Sequence, residues 1–210
     1  MKVVAFNGSP KKEGNTYQAI KLVADELKSQ GIETEIVHVG NKLIRGCTSC
    51  ETCRDKSERC VISNDDVNDW IQKMKAADGI ILGSPVYYSG INGTMKSFLD
   101  RAFFVIGSNG NFLRHKVGVS VAAVRRSGGI PTVDQLNKYI NYSEMLMPGS
   151  NYWNVIHGLM PGEVSGDTEG VQIMKVLGKN MAWTMKLIQN GKDRVEEPVQ
   201  ESKLMTNFIR

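Results

Sequence analysis

Four cysteines, Cys47, Cys50, Cys53 and Cys60, fall in one short stretch with the spacing C-x2-C-x2-C-x6-C. Thiols at every third residue of a tight loop can converge on one inorganic centre, and a fourth closes the site. Nearer the N-terminus, Gly8-Ser9-Pro10-Lys11-Lys12-Glu13-Gly14-Asn15-Thr16 joins glycines that permit close backbone approach to two hydroxyls, an amide and the free N–H groups of a helix start. This set suits a phosphate monoester dianion. It lacks both the G-x-G-x-x-G of a pyrophosphate site and the G-x-x-x-x-G-K-[ST] of a nucleoside-triphosphate loop. Such a stretch also reads as a plain strand-to-helix turn. A second loop, Gly83-Ser84-Pro85-Val86-Tyr87-Tyr88-Ser89-Gly90, favours a ligand, because it offers a Pro85 turn, backbone amides for the polar edge of a heterocycle and aromatic faces to shield a ring. The segment Arg125-Arg126-Ser127-Gly128-Gly129 follows a further strand; glycine there lets the chain pass close to a planar ligand, and either arginine also reads as a solvated charge.

The elements that position these loops alternate. Val3–Phe6 is a short apolar run of the kind a doubly covered parallel strand needs. From Thr16 the spacing of Ile20, Val23, Ala24 and Leu27 is helical and stops at Gly31. A strand over Thr34–Val39, a helix carrying Val67, Trp70, Ile71 and Met74 behind the capping run Ser63–Asp66, and a strand over Gly79–Gly83 follow. Met95, Phe98, Leu99 and Ala102 mark the third helix, and Val117–Val124 the fourth strand. Pro131 opens a helix that turns Val133, Leu136 and Ile140 inward; Tyr152–Ile156 is the fifth strand; Met174, Leu177, Met181, Met185 and Ile188 line the last helix. Right-handed crossovers then require an α/β, doubly wound, five-stranded parallel sheet between two helix layers. With strand order 2-1-3-4-5, ligands bind at the switch point between strands one and three. Residues 1–192 are expected to form one domain and 193–210 a loose polar tail.

The 210 residues, 41% of them hydrophobic, suffice for one well-buried core. A net charge of +4 with acids and bases interspersed argues against a nucleic-acid partner. No targeting segment or membrane span is evident, so a cytoplasmic location is expected. In that reducing compartment the cysteines are ligands or redox thiols rather than disulfides. His38, His115 and His157 have no acid at motif spacing and are expected to be structural, and Trp153 and Trp183 sit at core-type positions. The segment Tyr142–Gly149 reads as local packing, with a subunit interface or a cover for the bound ligand as the alternative.

Asn7-Gly8-Ser9-Pro10, Gly14-Asn15-Thr16, Gly83-Ser84-Pro85-Val86-Tyr87 and Met95-Lys96-Ser97-Phe98-Leu99-Asp100-Arg101 together resemble the NADPH-dependent FMN reductase family of the flavodoxin-like superfamily, well over residues 1–125 and more loosely beyond. The resemblance implies that Ser9, Asn15 and Thr16 hold the FMN phosphate and that Pro85, Val86, Tyr87 and Tyr88 lie along the isoalloxazine ring. Pro10, Gly14, Ser84, Ser89, Gly90, Arg125 and Gly128 complete the expected cofactor-binding set, and the flavin, not a side chain, carries the chemistry. The cysteine run resembles the compact motif of iron–sulfur flavoproteins, which implies a [4Fe-4S] cluster on Cys47, Cys50, Cys53 and Cys60. Val61 stands where a ferredoxin-type motif has proline, and zinc or no metal remain open alternatives, although zinc knuckles are spaced differently.

The expected activity is an FMN-dependent oxidoreductase fed by NAD(P)H or a ferredoxin-like donor, passing electrons to a small acceptor such as a flavin or quinone. A non-enzymatic electron carrier and a redox- or metal-sensing module are the rival readings. By resemblance, a homodimer or homotetramer is expected.

Overall fold

The structure, a computed structural model, describes residues 1–55, 57–206 and 208. Lys56 in the cysteine crossover and Asn207, Ile209 and Arg210 in the tail lie outside the described residues. Strand β1 (Lys2–Asn7) leads to helix α1 (Asn15–Ser29) and strand β2 (Glu33–His38). After the long cysteine segment come α2 (Val67–Ala76), β3 (Gly79–Tyr87), the two-residue β4 (Gly90–Ile91) and α3 (Gly93–Ser108). The chain continues through β5 (Val117–Val124), α4 (Gly129–Tyr142), β6 (Val155–His157) and α5 (Thr168–Gly191).

The sheet order is β2-β1-β3-β5-β6, all parallel, with β4 folded back antiparallel on β3. With that hairpin strand set aside, the order is the expected 2-1-3-4-5, and the fold is the flavodoxin-like three-layer α/β/α arrangement. Alternation along β1 divides the core. Val4 and Phe6 pack with α2, α3 and α4, while Val3 and Ala5 pack with α1 and α5. Five helices bury their apolar stripes on these two faces, as amphipathic spacing requires.

Three expectations are corrected. Pro85 does not make a turn, because β3 runs on to Tyr87 and Pro85 pairs with Ala123 of β5. Its missing N–H costs no ladder bond: β1 pairs with β3 only as far as Gly83, so the edge that Pro85 shares with Gly83 is already free. The fifth strand begins at Val155 rather than Tyr152, since β6 is an edge strand paired with β5 only over Ala122–Val124. Trp153 and Trp183 are exposed, not core, at 57% and 64%. Trp183 sits off the Leu177–Met181–Met185 stripe of α5, and Trp153 precedes the short edge strand.

In the segment Tyr142–Gly149, Met145 is buried, and Leu146 extends the sheet edge through backbone bonds to Lys116 and Gly118. Among its described residues the tail beyond α5 has no regular structure, but it is tied down where Arg114 Nη2 donates to the Pro198 carbonyl at 2.8 Å. Among the described residues, no helix is long and apolar enough to cross a membrane.

Candidate flavin pocket and cysteine segment

Helix α1 starts at the carboxyl end of β1 with Gly14 as its N-cap, which supplies no capping side chain and no acid in the first turn. First-turn N–H groups are therefore left for an exogenous acceptor, and the helix dipole favours an anion there. The loop before it is held from below. Buried Asn7 accepts from the Ser9 N–H at 3.0 Å and donates to the Lys12 carbonyl at 3.0 Å. Ser9 Oγ accepts from the Lys11 N–H at 3.2 Å, and the His38 ring donates from Nε2 to the Ser9 carbonyl at 2.8 Å. The N–H of Gly8 bonds to the Gly83 carbonyl at 2.8 Å, which locks this loop to β3 at the switch point.

A groove of about 240 Å³ opens over that junction. Its walls bring together Ser9, Pro10, Asn15 and Thr16 from the first loop with Pro85, Val86 and Tyr87 from the end of β3, and Arg125 from the end of β5. Lys11 adds a second cation and Ala123 part of the wall. Gly14, Ser84, Tyr88, Ser89, Gly90 and Gly128, also expected at the cofactor, do not line it. Ser84 is fully buried, donating to the Pro85 carbonyl at 2.8 Å and accepting from the Asn92 N–H at 3.0 Å. Tyr88 and Ser89 form the two-residue turn between β3 and β4, both in the left-handed region at φ 48° and 59°, with Tyr88 wholly exposed. Gly90 packs on Gln135, and Gly128 (φ 89°) makes its close approach to Ser89 and Val86 of the hairpin. A Cβ at Gly128 would lie 2.8 Å from Ser89 Oγ.

Residues beyond β6 escaped sequence reasoning. Gly158, Leu159 and Pro161 close the groove, and Asn15 Oδ1 accepts from the Gly162 N–H at 2.9 Å, tying this loop to the start of α1. The Gly158-Leu159-Met160-Pro161-Gly162 composition after the last strand was the available signal.

The four cysteines line one small pocket together with Arg101, Phe104 and Val105 of α3. Cys47 and Cys50 are exposed, Cys60 is half-buried and Cys53 is buried. Thr52, through its N–H and hydroxyl, and the Thr48 hydroxyl lower the Cys50 pKa, whereas burial raises that of Cys53. Among the described residues no three His, Cys, Asp or Glu side chains meet closely enough to hold a single metal ion.

Three polar side chains clamp this segment, none of them singled out from sequence for that purpose. Asn68 of α2 accepts from the Cys60 N–H at 2.7 Å and donates to the Cys60 carbonyl at 2.9 Å. Asn109, just past α3, donates to the Cys53 carbonyl at 2.8 Å and accepts from the Glu58 N–H at 3.1 Å. Arg101, wholly buried, pairs with Asp65 and donates to the carbonyls of Ile62 at 2.8 Å and Arg45 at 3.4 Å. Asp65, expected only in a capping run, thus serves the arginine as well as the Val67 N–H. Ser49, Glu51 and Glu58 are non-glycine residues in the left-handed region (φ 52°, 59° and 55°), so the segment carries local strain beside its thiols.

Two of the three histidines do have acidic partners in space. His157 Nδ1 lies 3.2 Å from Asp167 and His115 Nδ1 lies 3.3 Å from Glu197. Motif spacing hid these pairs because both acids arrive from later elements.

The model of the family described as NADPH-dependent FMN reductase matches residues 1–159. An iron-sulfur flavoprotein of Methanocaldococcus jannaschii is 36% identical over 197 residues, covering 90% of this chain and 100% of the relative. Another, from Methanosarcina thermophila, is 32% identical over 197 residues, covering 92% of this chain and 100% of the relative. Among solved structures, a flavodoxin from the domain Archaea matches with a TM-score of 0.59 at 16% identity, over 89% of this chain and 99% of that one, a likeness of fold.

Proposed function

This chain belongs to the NADPH-dependent FMN reductase family, and from that premise we propose that it is an FMN-dependent oxidoreductase which takes electrons from NAD(P)H or a ferredoxin-like donor and passes them to a small acceptor such as a flavin or quinone. The observation that carries this reading is the groove at the β1–β3 switch point, where an uncapped helix start faces the β3 wall. Bound FMN supplies two-electron and one-electron chemistry on one ring. The protein's part is placement. The first-turn N–H groups of α1, Ser9 and Thr16 hold the phosphate, Asn15 orients the covering loop, Lys11 and Arg125 offset the charge, and Pro85–Tyr87 flank the ring.

Cys47, Cys50, Cys53 and Cys60 are the donors for a [4Fe-4S] cluster. Four thiols on one pocket with a buried guanidinium beside them are a donor set for a multinuclear anionic centre, and their spacing is not that of paired zinc knuckles. The exposure of Cys47 and Cys50 favours a second reading, an electron carrier that exchanges electrons with protein partners at this surface. Location in the cytoplasm and assembly as a homodimer or homotetramer belong to the same proposal.

Anaerobic purification followed by an absorbance spectrum, flavin extraction and an iron and sulfide assay is the test. One FMN with four irons and four sulfides per chain, bleached by NADPH or NADH, is the expected result. A chain without FMN overturns the proposal; stoichiometric zinc without sulfide replaces the cluster with a metal-sensing loop. Reduction by reduced ferredoxin with no turnover of quinones or free flavins establishes the carrier instead.

A further inference from the structure

The Arg101 side chain has no solvent exposure, and it ties the cysteine segment at both ends. One guanidinium reaches the Arg45 carbonyl, two residues before Cys47, and the Ile62 carbonyl and Asp65, just after Cys60. Its two terminal nitrogens are committed to these partners, while Nε is buried with no hydrogen-bond partner among the described residues. An unpaired buried donor is unfavourable, and it belongs here to a side chain that lines the pocket of the four thiols. A guanidinium keeps its charge when buried, and the Asp65 carboxylate pairs with it here.

Resting on the cluster reading above, we propose that Arg101 is a positioning residue for the cysteine centre: it locks the two ends of the Cys47–Cys60 segment onto α3 and keeps its Nε–H for the sulfur of the loaded site. A donor and a positive charge beside a sulfur-ligated centre both favour its reduced, more negative state. Asp65 opposes that effect with its own charge while holding the guanidinium in place. Arg101 and Asp65 therefore tune the centre in opposite directions, which a purely structural ion pair does not do.

The test uses the full chain, reconstituted anaerobically with ferrous iron and sulfide and titrated by EPR at poised potentials. Asp65→Asn, which keeps the guanidinium and removes its neutralising partner, raises the midpoint. The pair Arg101→Gln with Asp65→Asn, which leaves no unpaired buried charge, lowers it, with the one-electron reduction equilibrium shifted at least tenfold, or 59 mV. Arg101→Lys retains the charge without the guanidinium fork or the Nε–H donor, so it loads less iron than the wild type and its midpoint falls below the wild-type value but above that of the double variant. Cooperative melting and an unchanged flavin content report folding for each variant. Should the double variant fold yet load no iron, that loss sustains the locking role, and the midpoint of Asp65→Asn alone tests the tuning. Midpoints matching the wild type, or shifts of one sign in all variants, overturn the proposal. A wild-type chain that takes up no iron and sulfide instead removes the cluster reading, and this inference with it.

Discussion

Gly40 is the position where a single methyl group tests the phosphate loop most directly. It follows β2 and lies beneath the loop, and a Cβ there would sit 2.2 Å from both the carbonyl carbon and oxygen of Ser9 and 2.3 Å from the Gly8 carbonyl oxygen. Those distances are more than about 1 Å inside normal carbon contact, and every atom met is backbone, so no side chain can swing aside. In Gly40→Ala the Gly8–Ser9 turn must lift, and binding FMN must press it back. Overpacking of this kind costs about 1 to 3 kcal/mol. Placed on the binding step, that weakens FMN by about 5- to 150-fold, at 1.4 kcal/mol per factor of ten. Titrating the apoprotein into FMN and following flavin fluorescence measures it. Gly107→Ala is the control, because Gly107 is helical and a Cβ added there would meet no atom within 4 Å; it should gain about 0.5 to 1 kcal/mol of stability with unchanged FMN affinity. If Gly40→Ala bound FMN as the wild type does while melting normally, Ser9 would not be where the phosphate is held.

Asn15→Ala removes the acceptor for the Gly162 N–H; the loop over the groove loosens, and FMN affinity falls by about tenfold in the same titration, for about 1 to 2 kcal/mol. Asp167 caps α5 through the Gly170 N–H and accepts from the His157 N–H and ring; burial raises its pKa, but these bonds outweigh burial and leave it lowered. The cap's contribution is therefore present above the unfolded carboxylate pKa, about 3.9, and lost as pH falls through the folded value. Asp167→Ala should cost about 1 to 2 kcal/mol in urea unfolding at pH 7, and the gap from wild type should close in acid. Tyr139 is pushed up to about 12, first by burial and then by its bond to Asp100. Its phenol favours the folded state fully below the unfolded pKa of about 10, and that contribution is lost as pH rises toward 12 at about 1.4 kcal/mol per unit. Tyr139→Phe should remove this extra alkaline slope; equal slopes from pH 10 to 12 would show that the phenol ionises freely when folded.

Local pattern in the sequence was enough for the five parallel strands and five helices to within a few residues, and the doubly wound fold they imply supplied the sheet order and the switch point. Each depends on short-range information: apolar runs of strand length, 3.6-residue stripes, and a glycine-rich turn without a capping side chain. Ser9, Asn15, Thr16 and Pro85–Tyr87 meet at one groove for that reason, because their loops follow adjacent strands directly. The cysteine spacing likewise points to a shared centre by itself, since all four thiols lie within one short segment. What only the tertiary structure decided are the contacts made by elements distant in the chain. The Gly158–Gly162 loop closes the groove 147 residues after Asn15, and β1 ends early enough for Pro85 to remain in strand. Asn68, Arg101 and Asn109 reach the cysteine segment from two helices that each read as plain amphipathic elements or their ends. A polar residue's partner across the fold leaves no periodic trace, since the hydrogen bond is set by where two elements pack and not by the residues beside either one. The sequence therefore determined which chemistries the chain can hold, and packing decided which side chains hold the chain around them.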